Sequence, residues 1–324
     1  MILVTGASGF IGRELTLQLL KLDEPVRALG REPGRLAELA TLGAEPLRVP
    51  LEDGRGLRRA ATGCRLVFHA AGLVSHERRD RARLLEANGE GVRRLLEATD
   101  ADARVVLVSS AFSFGPAATS SETVDEHGQP PEWLVASPYC ASKLLGERYA
   151  LEAVEAGRDV VVANAAYVIG PGQRGGLPSL LRKHLRGLVR LIVPGGFSYV
   201  DVRDVASGLQ RAAERGRTGE RYLLASRSGN FSHGDFLALA GRLAQRSRQQ
   251  LVLPTAFVRG PARLLAPPLR RAELREAAHW WFYDQGKAER ELGFRVRPPA
   301  ETLTDVLAEL GYGGQASPAP HSRS

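Results

Sequence analysis

Cysteine is nearly missing from this chain: Cys64 and Cys140 are the only two among 324 residues. Two thiols without the short spacings of metal ligands exclude a disulfide-stapled scaffold and a cysteine-built zinc site. They point to free thiols in a reducing compartment, and no metal is expected. Long apolar runs are missing as well, and none approaches the roughly twenty residues that a spanning helix needs. No signal-type segment precedes the first β-prone run, so the cytoplasm is the expected location. Lysine is scarce too. Only Lys21, Lys143, Lys183 and Lys287 stand among 44 Lys and Arg, so arginine carries nearly all the positive charge behind the net +8. The arginines read as scattered and interleaved with acids. That argues against a nucleic-acid stripe and leaves a small molecule as the expected partner. The hydrophobic fraction, 44%, is that of a globular protein with a substantial core.

Short β-prone runs alternate with helical patterns. Strands are expected at 1–4, 26–29, 46–49, 65–69, 104–109 and 160–166. Helices are expected after Gly12 and at 36–42, 57–61, 81–99 and 137–156. Strands separated by helices predict an α/β protein with a doubly wound parallel sheet covered on both faces. After Gly170 the pattern changes to a Gly- and Pro-rich loop and a basic helix at 180–189. Runs 199–204 and 220–224 read as strands returning to the main sheet or its rim. A helix at 232–245 starts from Ser232 as N-cap, and short helices fit 288–292 and 300–310. The division expected is a dinucleotide-binding domain over 1–169 with 198–225 returning to it, a substrate lobe over 170–197 and 226–310, and a disordered tail from 311 to 324. Residues 254–281, rich in Pro and Arg, resist assignment. A membrane-surface helix there is opposed by its prolines, and Trp280 and Trp281 read as core.

Three constellations carry chemistry. Gly6, Gly9 and Gly12 sit between the first strand and the first helix. Gly6 allows the tight turn, Gly9 the approach of a pyrophosphate, and Gly12 close helix packing. The helix N-terminus then offers free N–H groups and a positive dipole end. Tyr139 and Lys143 stand one helical turn apart. An ammonium beside a phenol favours the phenolate, making the tyrosine a usable acid or base. Lys143 is a rare lysine in an arginine-rich chain, which favours a task specific to an ammonium. Ser110 follows a buried strand at the edge where ligands of doubly wound folds bind, and its hydroxyl can polarise a substrate carbonyl.

Together with Phe68-His69-Ala70-Ala71-Gly72 and Gly170-Pro171-Gly172, these motifs stand in the order and spacing of the extended short-chain dehydrogenases/reductases, which the chain resembles over roughly residues 1–310. Asn88 with Gly91, the run 199–206, Glu220-Arg221-Tyr222 and the run 284–294 resemble further motifs of that family. The nearest look is to dihydroflavonol-reductase-like and hopanoid-associated sugar-epimerase-like members. The resemblance implies a Rossmann-type sheet with a smaller, mostly C-terminal substrate-binding lobe. It implies Ser110, Tyr139 and Lys143 as the catalytic set, with Lys143 lowering the pKa of Tyr139 and holding a ribose. It places Gly6, Ser8, Gly9, Phe10, Ile11, Gly12, Leu51, Ala70, Ala71, Gly72 and Val168 on a dinucleotide. Asn88 also reads simply as a helix cap. Members of the family often dimerise through helices matching 81–99 and 137–156, so a homodimer is one expectation, with a monomer as the alternative because arginines face outward on the first.

An NAD-selective site places an acid at the tip of the second strand. Here Arg31 stands at that tip with Arg35 nearby, which favours NADP(H) over NAD(H), although Glu32 would supply an acid after a one-residue shift. Ala111-Phe112 replaces the Asp-Glu pair of the family's dehydratases, and Phe197 replaces an arginine that often grips the diphosphate in its epimerases. Pro50 and Ala165 depart from the family pattern near the adenine and the nicotinamide. Arg182, Lys183, Arg186 and Arg190 read as a solvated helix face or an anion site. Ala111, Phe112 and Tyr167 are the expected substrate contacts, with Phe114 and Trp133 making the region partly apolar. The reading is hydride transfer between NADP(H) and a carbonyl or secondary alcohol of a moderately apolar molecule. The alternatives are a nucleotide-sugar epimerase and a dinucleotide-binding sensor without catalysis.

Overall fold

A computed structural model describes residues 1–254 and 274–312. Residues 255–273, the centre of the unassigned stretch, and 313–324, most of the expected tail, lie outside the described residues. Strands β1 (Ile2–Thr5), β2 (Val26–Leu29), β3 (Glu45–Leu47), β4 (Leu66–His69), β5 (Arg104–Ser110) and β6 (Val160–Ala165) are linked by helices α1 (Phe10–Leu20), α2 (Pro33–Thr41), α3 (Gly54–Ala61), α4 (Arg81–Leu85), α5 (Gly91–Ala98), α6 (Glu132–Val135) and α7 (Pro138–Glu155). There follow β7 (Tyr167–Ile169), α8 (Gly176–Leu185), β8 (Leu191–Ile192), β9 (Gly196–Asp201), α9 (Val202–Arg215), β10 (Arg221–Leu224), β11 (Asn230–Ser232), α10 (His233–Leu243), β12 (Leu251–Val252), β13 (Trp280–Trp281) and α11 (Pro299–Glu309).

Seven strands form one sheet in the order β10-β6-β5-β4-β1-β2-β3, and every neighbouring pair is parallel. The winding reverses beside β1, which makes this the Rossmann-type sheet expected from the alternation of runs. The period of two along each strand supplies two cores. Ile2 and Val4 pack with Leu15 and Leu19 of α1 and with Val205 and Leu209 of α9. Leu3, Val67, Val105 and Val160 face the other way, onto Leu57, Leu95 and Ala150. Burial on both faces is why these strands read as unbroken apolar runs.

Four expectations change. The run 199–204 is not one strand: β9 ends at Asp201, whose side chain accepts from the Arg203 N–H at 2.8 Å and caps α9. Val202, Val205, Ala206, Leu209 and Ala212 then fall on one buried helical face, which β-branched valines had disguised as strand. Only β10 joins the main sheet, because β9 pairs with β7, β11 and β13 in a second sheet. The basic helix starts earlier than 180, with Pro178 tolerated in its first turn, and gives way to Gly187 at φ +77°. The helix at 81–99 is interrupted by a π-turn, Glu86–Glu90. Thr302 donates to Asp201 at 2.8 Å and Arg203 meets Asp305 at 2.7 Å, so α11 is tied to the β9–α9 junction.

Candidate active site

The site begins where β1 meets β4. Gly6 has φ +71°, and a Cβ there would sit 2.6 Å from the backbone of Ala70 and Ala71. The Gly9 N–H donates to the Gly6 carbonyl at 2.7 Å, and Gly12 packs against that same carbonyl. Phe10, Ile11 and Gly12 open α1, where backbone N–H groups have no partner in the helical ladder. Glycine at these positions lets the β1–α1 turn close on itself and against the backbone after β4, and α1 presents its positive N-terminal end at that turn. Gly6→Ala is expected to cost about 2–4 kcal/mol, from left-handed strain plus overpacking, read as a lower urea midpoint. An unchanged midpoint would show that the two turns can part freely.

At the tip of β2 the structure groups Ser8, Arg31, Glu32 and Arg35. The Ser8 hydroxyl accepts from the Arg31 N–H at 3.1 Å, and Arg35 donates to the Ser8 carbonyl at 2.7 Å. Arg35 also meets Glu32 at 3.4 Å. Arg35 and Ser8 are therefore committed to holding this corner, while Arg31 is exposed. Leu51 packs near Gly91, its Cδ1 3.0 Å from where a Cβ of Gly91 would lie. Val168 lies on β7, its carbonyl accepting from Gln173 at 3.3 Å.

Asn88 is no helix cap. It sits inside the π-turn and is buried, accepting from the Leu73 N–H at 2.7 Å and donating to the Leu73 carbonyl at 2.8 Å and the Ser142 hydroxyl at 2.9 Å. The loop after Gly72 is thereby pinned to α7, and the place a Gly72 side chain would take is 3.5 Å from Lys143 Nζ.

Ser110 ends β5, and Tyr139 and Lys143 stand one turn apart on α7, which packs against that strand. The Ser110 side chain stands near enough to the Tyr139 phenol to favour its ionised form. Lys143 donates from Nζ to the Val108 carbonyl at 3.1 Å, and burial pushes its ammonium down to about 8. Burial raises the Tyr139 pKa, against the smaller opposing effect of the Ser110 side chain. This corrects the expectation that Lys143 lowers it: in this arrangement desolvation outweighs stabilisation of the phenolate, and the ammonium serves a backbone carbonyl. His69, buried behind Lys143, accepts from or donates to Thr5 Oγ1 at 2.7 Å, and burial pushes it down to about 3, so it is neutral.

Glu147, one turn beyond Lys143, escaped the sequence reading. It is 3% exposed. Its Oε1 accepts from the Ser109 hydroxyl, from Ser113 at 2.6 Å and from the Asn164 amide at 2.7 Å, while Arg221 lies 3.4 Å from Oε2. Asn164 also donates to the Ser110 carbonyl at 3.1 Å. Both flanks of Ser110 therefore hang on one carboxylate. The spacing 139, 143, 147 puts all three on one helical face, the only signal that would have found it.

The wall beside Tyr139 is aromatic. Phe112 stacks on Trp281 at 4.2 Å and 7°, and meets Tyr139 edge-on at 5.9 Å. The His76 ring lies 5.9 Å from Tyr139, and His76 pairs with Glu276 at 2.8 Å. Tyr283 donates to the Ala111 carbonyl at 3.0 Å. Ala111 and Phe112 thus adjoin Tyr139. Tyr167 instead packs on Phe197 at 5.7 Å, across the second sheet. Trp281 reads as core in the sequence, which its 6% exposure bears out, but its stack on Phe112 was not legible there. Tyr283, His76 and Glu276 went unread because their contacts depend on the distant C-terminal segment folding back.

The comparisons agree with this geometry. A sequence model of the NAD dependent epimerase/dehydratase family matches residues 2–225. A protein of Synechocystis sp. provisionally named dihydroflavonol 4-reductase is 31% identical, covering 94% of this chain and 92% of its own. A 4-hydroxy-2-methyl-3-oxo-4-farnesyl-3,4-dihydroquinoline-1-oxide ketoreductase of Stigmatella aurantiaca is 30% identical, covering 98% of each chain. Among solved structures, MoeE5 in complex with UDP-glucose and NAD is similar with a TM-score of 0.75 at 25% identity, over 96% of this chain and 98% of that one. The chain belongs to the NAD-dependent epimerase/dehydratase family and is an NAD(P)-dependent enzyme of the extended short-chain dehydrogenase/reductase type.

Proposed function

We propose that this enzyme reduces a carbonyl, or oxidises the matching secondary alcohol, on a moderately apolar small molecule, with NADP(H) as the hydride carrier. The observation that carries the reading is Tyr139 packed edge-on against Phe112 at 5.9 Å at the foot of the Phe112–Trp281 stack, with Ser110 at the end of β5 beside it. The turn after β1 fits a dinucleotide: Gly6, Gly9 and Gly12 keep it tight against neighbouring backbone, and the N-terminal N–H groups of α1 open at it. Bound there, the dinucleotide supplies or accepts a hydride. Ser110 holds the substrate oxygen, and Tyr139 gives it a proton in reduction and takes one in oxidation. Lys143 holds the cofactor ribose. Phe112 and Ala111 line the substrate side, and Tyr167 borders the lobe more remotely. The ketoreductase relative supports a ketone on an apolar skeleton.

A screen of ketones, aldehydes and alcohols with NADPH and NADH tests this. Turnover of nucleotide sugars alone, without net consumption of cofactor, would favour the epimerase reading that the MoeE5 likeness supports. For NADP(H) preference, Arg31 is the guanidinium at the β2 tip that is exposed and without an ion pair among the described residues. Arg31→Ala is expected to weaken NADPH binding by about tenfold, the worth of a charge-assisted phosphate contact, and leave NADH binding within about twofold. Equal or tighter NADH binding by the unmodified chain would remove the preference.

A further inference from the structure

The arginines look scattered, yet two long stretches contain no acid. Residues 160–200 hold five Lys or Arg and residues 236–272 hold seven, and neither holds an Asp or Glu. These cations outnumber the net charge of +8, so the rest of the chain is net negative. The fold brings described parts of both stretches together. β8 and β12 pair in parallel, Leu191 beside Leu251 and Ile192 beside Val252. At the turn after α8, a Cβ on Gly187 would lie 3.9 Å from Arg190 Nη2 and 4.0 Å from Arg248 Cζ, so one guanidinium from each stretch flanks the same point.

Arg182, Lys183, Arg186, Arg190, Arg246 and Arg248 are exposed, and among the described residues none of them forms an ion pair. Several other arginines are matched, among them Arg93 with Glu90 and Glu97 and Arg297 with Asp204, while Arg31, Arg55 and Arg59 are likewise exposed without an ion pair among the described residues. Amid these cations Leu188, Leu191, Leu251 and Val252 are 73%, 58%, 63% and 55% exposed. Unmatched guanidiniums around exposed leucines fit a surface that is anionic outside and apolar just beneath. Residues 176–192 and 242–254 contain no Phe, Tyr or Trp, so the stacking platforms of a single-strand binder are lacking there. Among the described residues no helix is long and apolar enough to cross a membrane.

We propose that the face made by α8, the turn after it and the β8–β12 pair docks on the surface of an anionic lipid bilayer. The leucines enter the boundary between headgroups and acyl chains, and the guanidiniums rest on lipid phosphates. This goes beyond the reaction proposed above and does not depend on it.

Co-sedimentation of the full chain with vesicles tests it, using phosphatidylcholine alone and phosphatidylcholine mixed with phosphatidylglycerol. Binding is expected only to the mixed vesicles and should fade at high salt. The double variant Arg186→Glu/Arg190→Glu should lose about a hundredfold in affinity. Leu191→Ser/Leu251→Ser should lose about tenfold, while binding to duplex DNA stays unchanged. All four positions are exposed, and a thermal melt of each variant checks the fold. Failure of the intact chain to sediment with mixed vesicles overturns the proposal. So does DNA binding as tight as vesicle binding with the leucine pair indifferent to both, which would make the face a nucleic-acid surface.

Discussion

Tyr139→Phe is expected to lower kcat by about 10³-fold, within the 10²–10⁴ that a positioned acid or base contributes, while dinucleotide affinity changes by less than about twofold. The substitution keeps the ring, so the edge contact with Phe112 at 5.9 Å and the neighbouring His76 remain packed. It removes only the phenolic hydroxyl, the group proposed to move the proton. Ser110 keeps its own partner, since its Oγ accepts from the Phe112 N–H at 3.3 Å, and the serine is not orphaned. The glycine turn at Gly6, Gly9 and Gly12, proposed to hold the pyrophosphate, is built from backbone and leaves its geometry independent of the Tyr139 hydroxyl. Steady-state kinetics with a carbonyl substrate and NADPH fluorescence titration read the two quantities apart. Turnover within about tenfold of the unmodified enzyme would hand the proton to another group. His76, with its ring 5.9 Å from that of Tyr139, is the candidate. A chain that binds dinucleotide and turns over nothing, with or without the hydroxyl, would be a sensor.

Glu147→Leu should be the most destabilising single change near the site, by about 3–5 kcal/mol, because it breaks a buried charge network by deleting its centre. Ser109, Ser113 and Asn164 would lose their common acceptor, and Arg221 its buried counter-charge. Glu147→Gln keeps an acceptor oxygen and loses only the charge, so about 1–2 kcal/mol is expected. Urea unfolding of the three proteins measures both. Equal stability of all three would mean that the desolvation of the carboxylate cancels everything it gathers. Because Ser110 is held from both sides by this network, the leucine variant should also lose kcat more than it gains KM.

Much of this was legible in order along the chain. A parallel strand buried on both faces is a continuous apolar run, so β1, β2, β4, β5 and β6 announced themselves within a residue or so. The glycine turn was equally readable, since a position at φ +71° against another backbone admits only glycine. Tyr139 and Lys143 were found because a helix brings residues four apart onto one face. Helix α9 was misread because valines at 202 and 205 satisfy a strand as well as a helix until the Asp201 cap is seen to end β9.

Local pattern by itself determined the fold class, the glycine turn after β1 and the placing of a tyrosine and a lysine one turn apart on one helix, because each depends on neighbours within a few turns of chain. Only the tertiary structure decided what surrounds them. It placed Glu147 under Ser110, turned Lys143 to the Val108 carbonyl, set Trp281 against Phe112, moved Tyr167 away to Phe197 and gathered two acid-free stretches onto one face. Those contacts join residues distant in sequence, and their energies depend on burial, which no run of letters specifies until the chain has closed on itself.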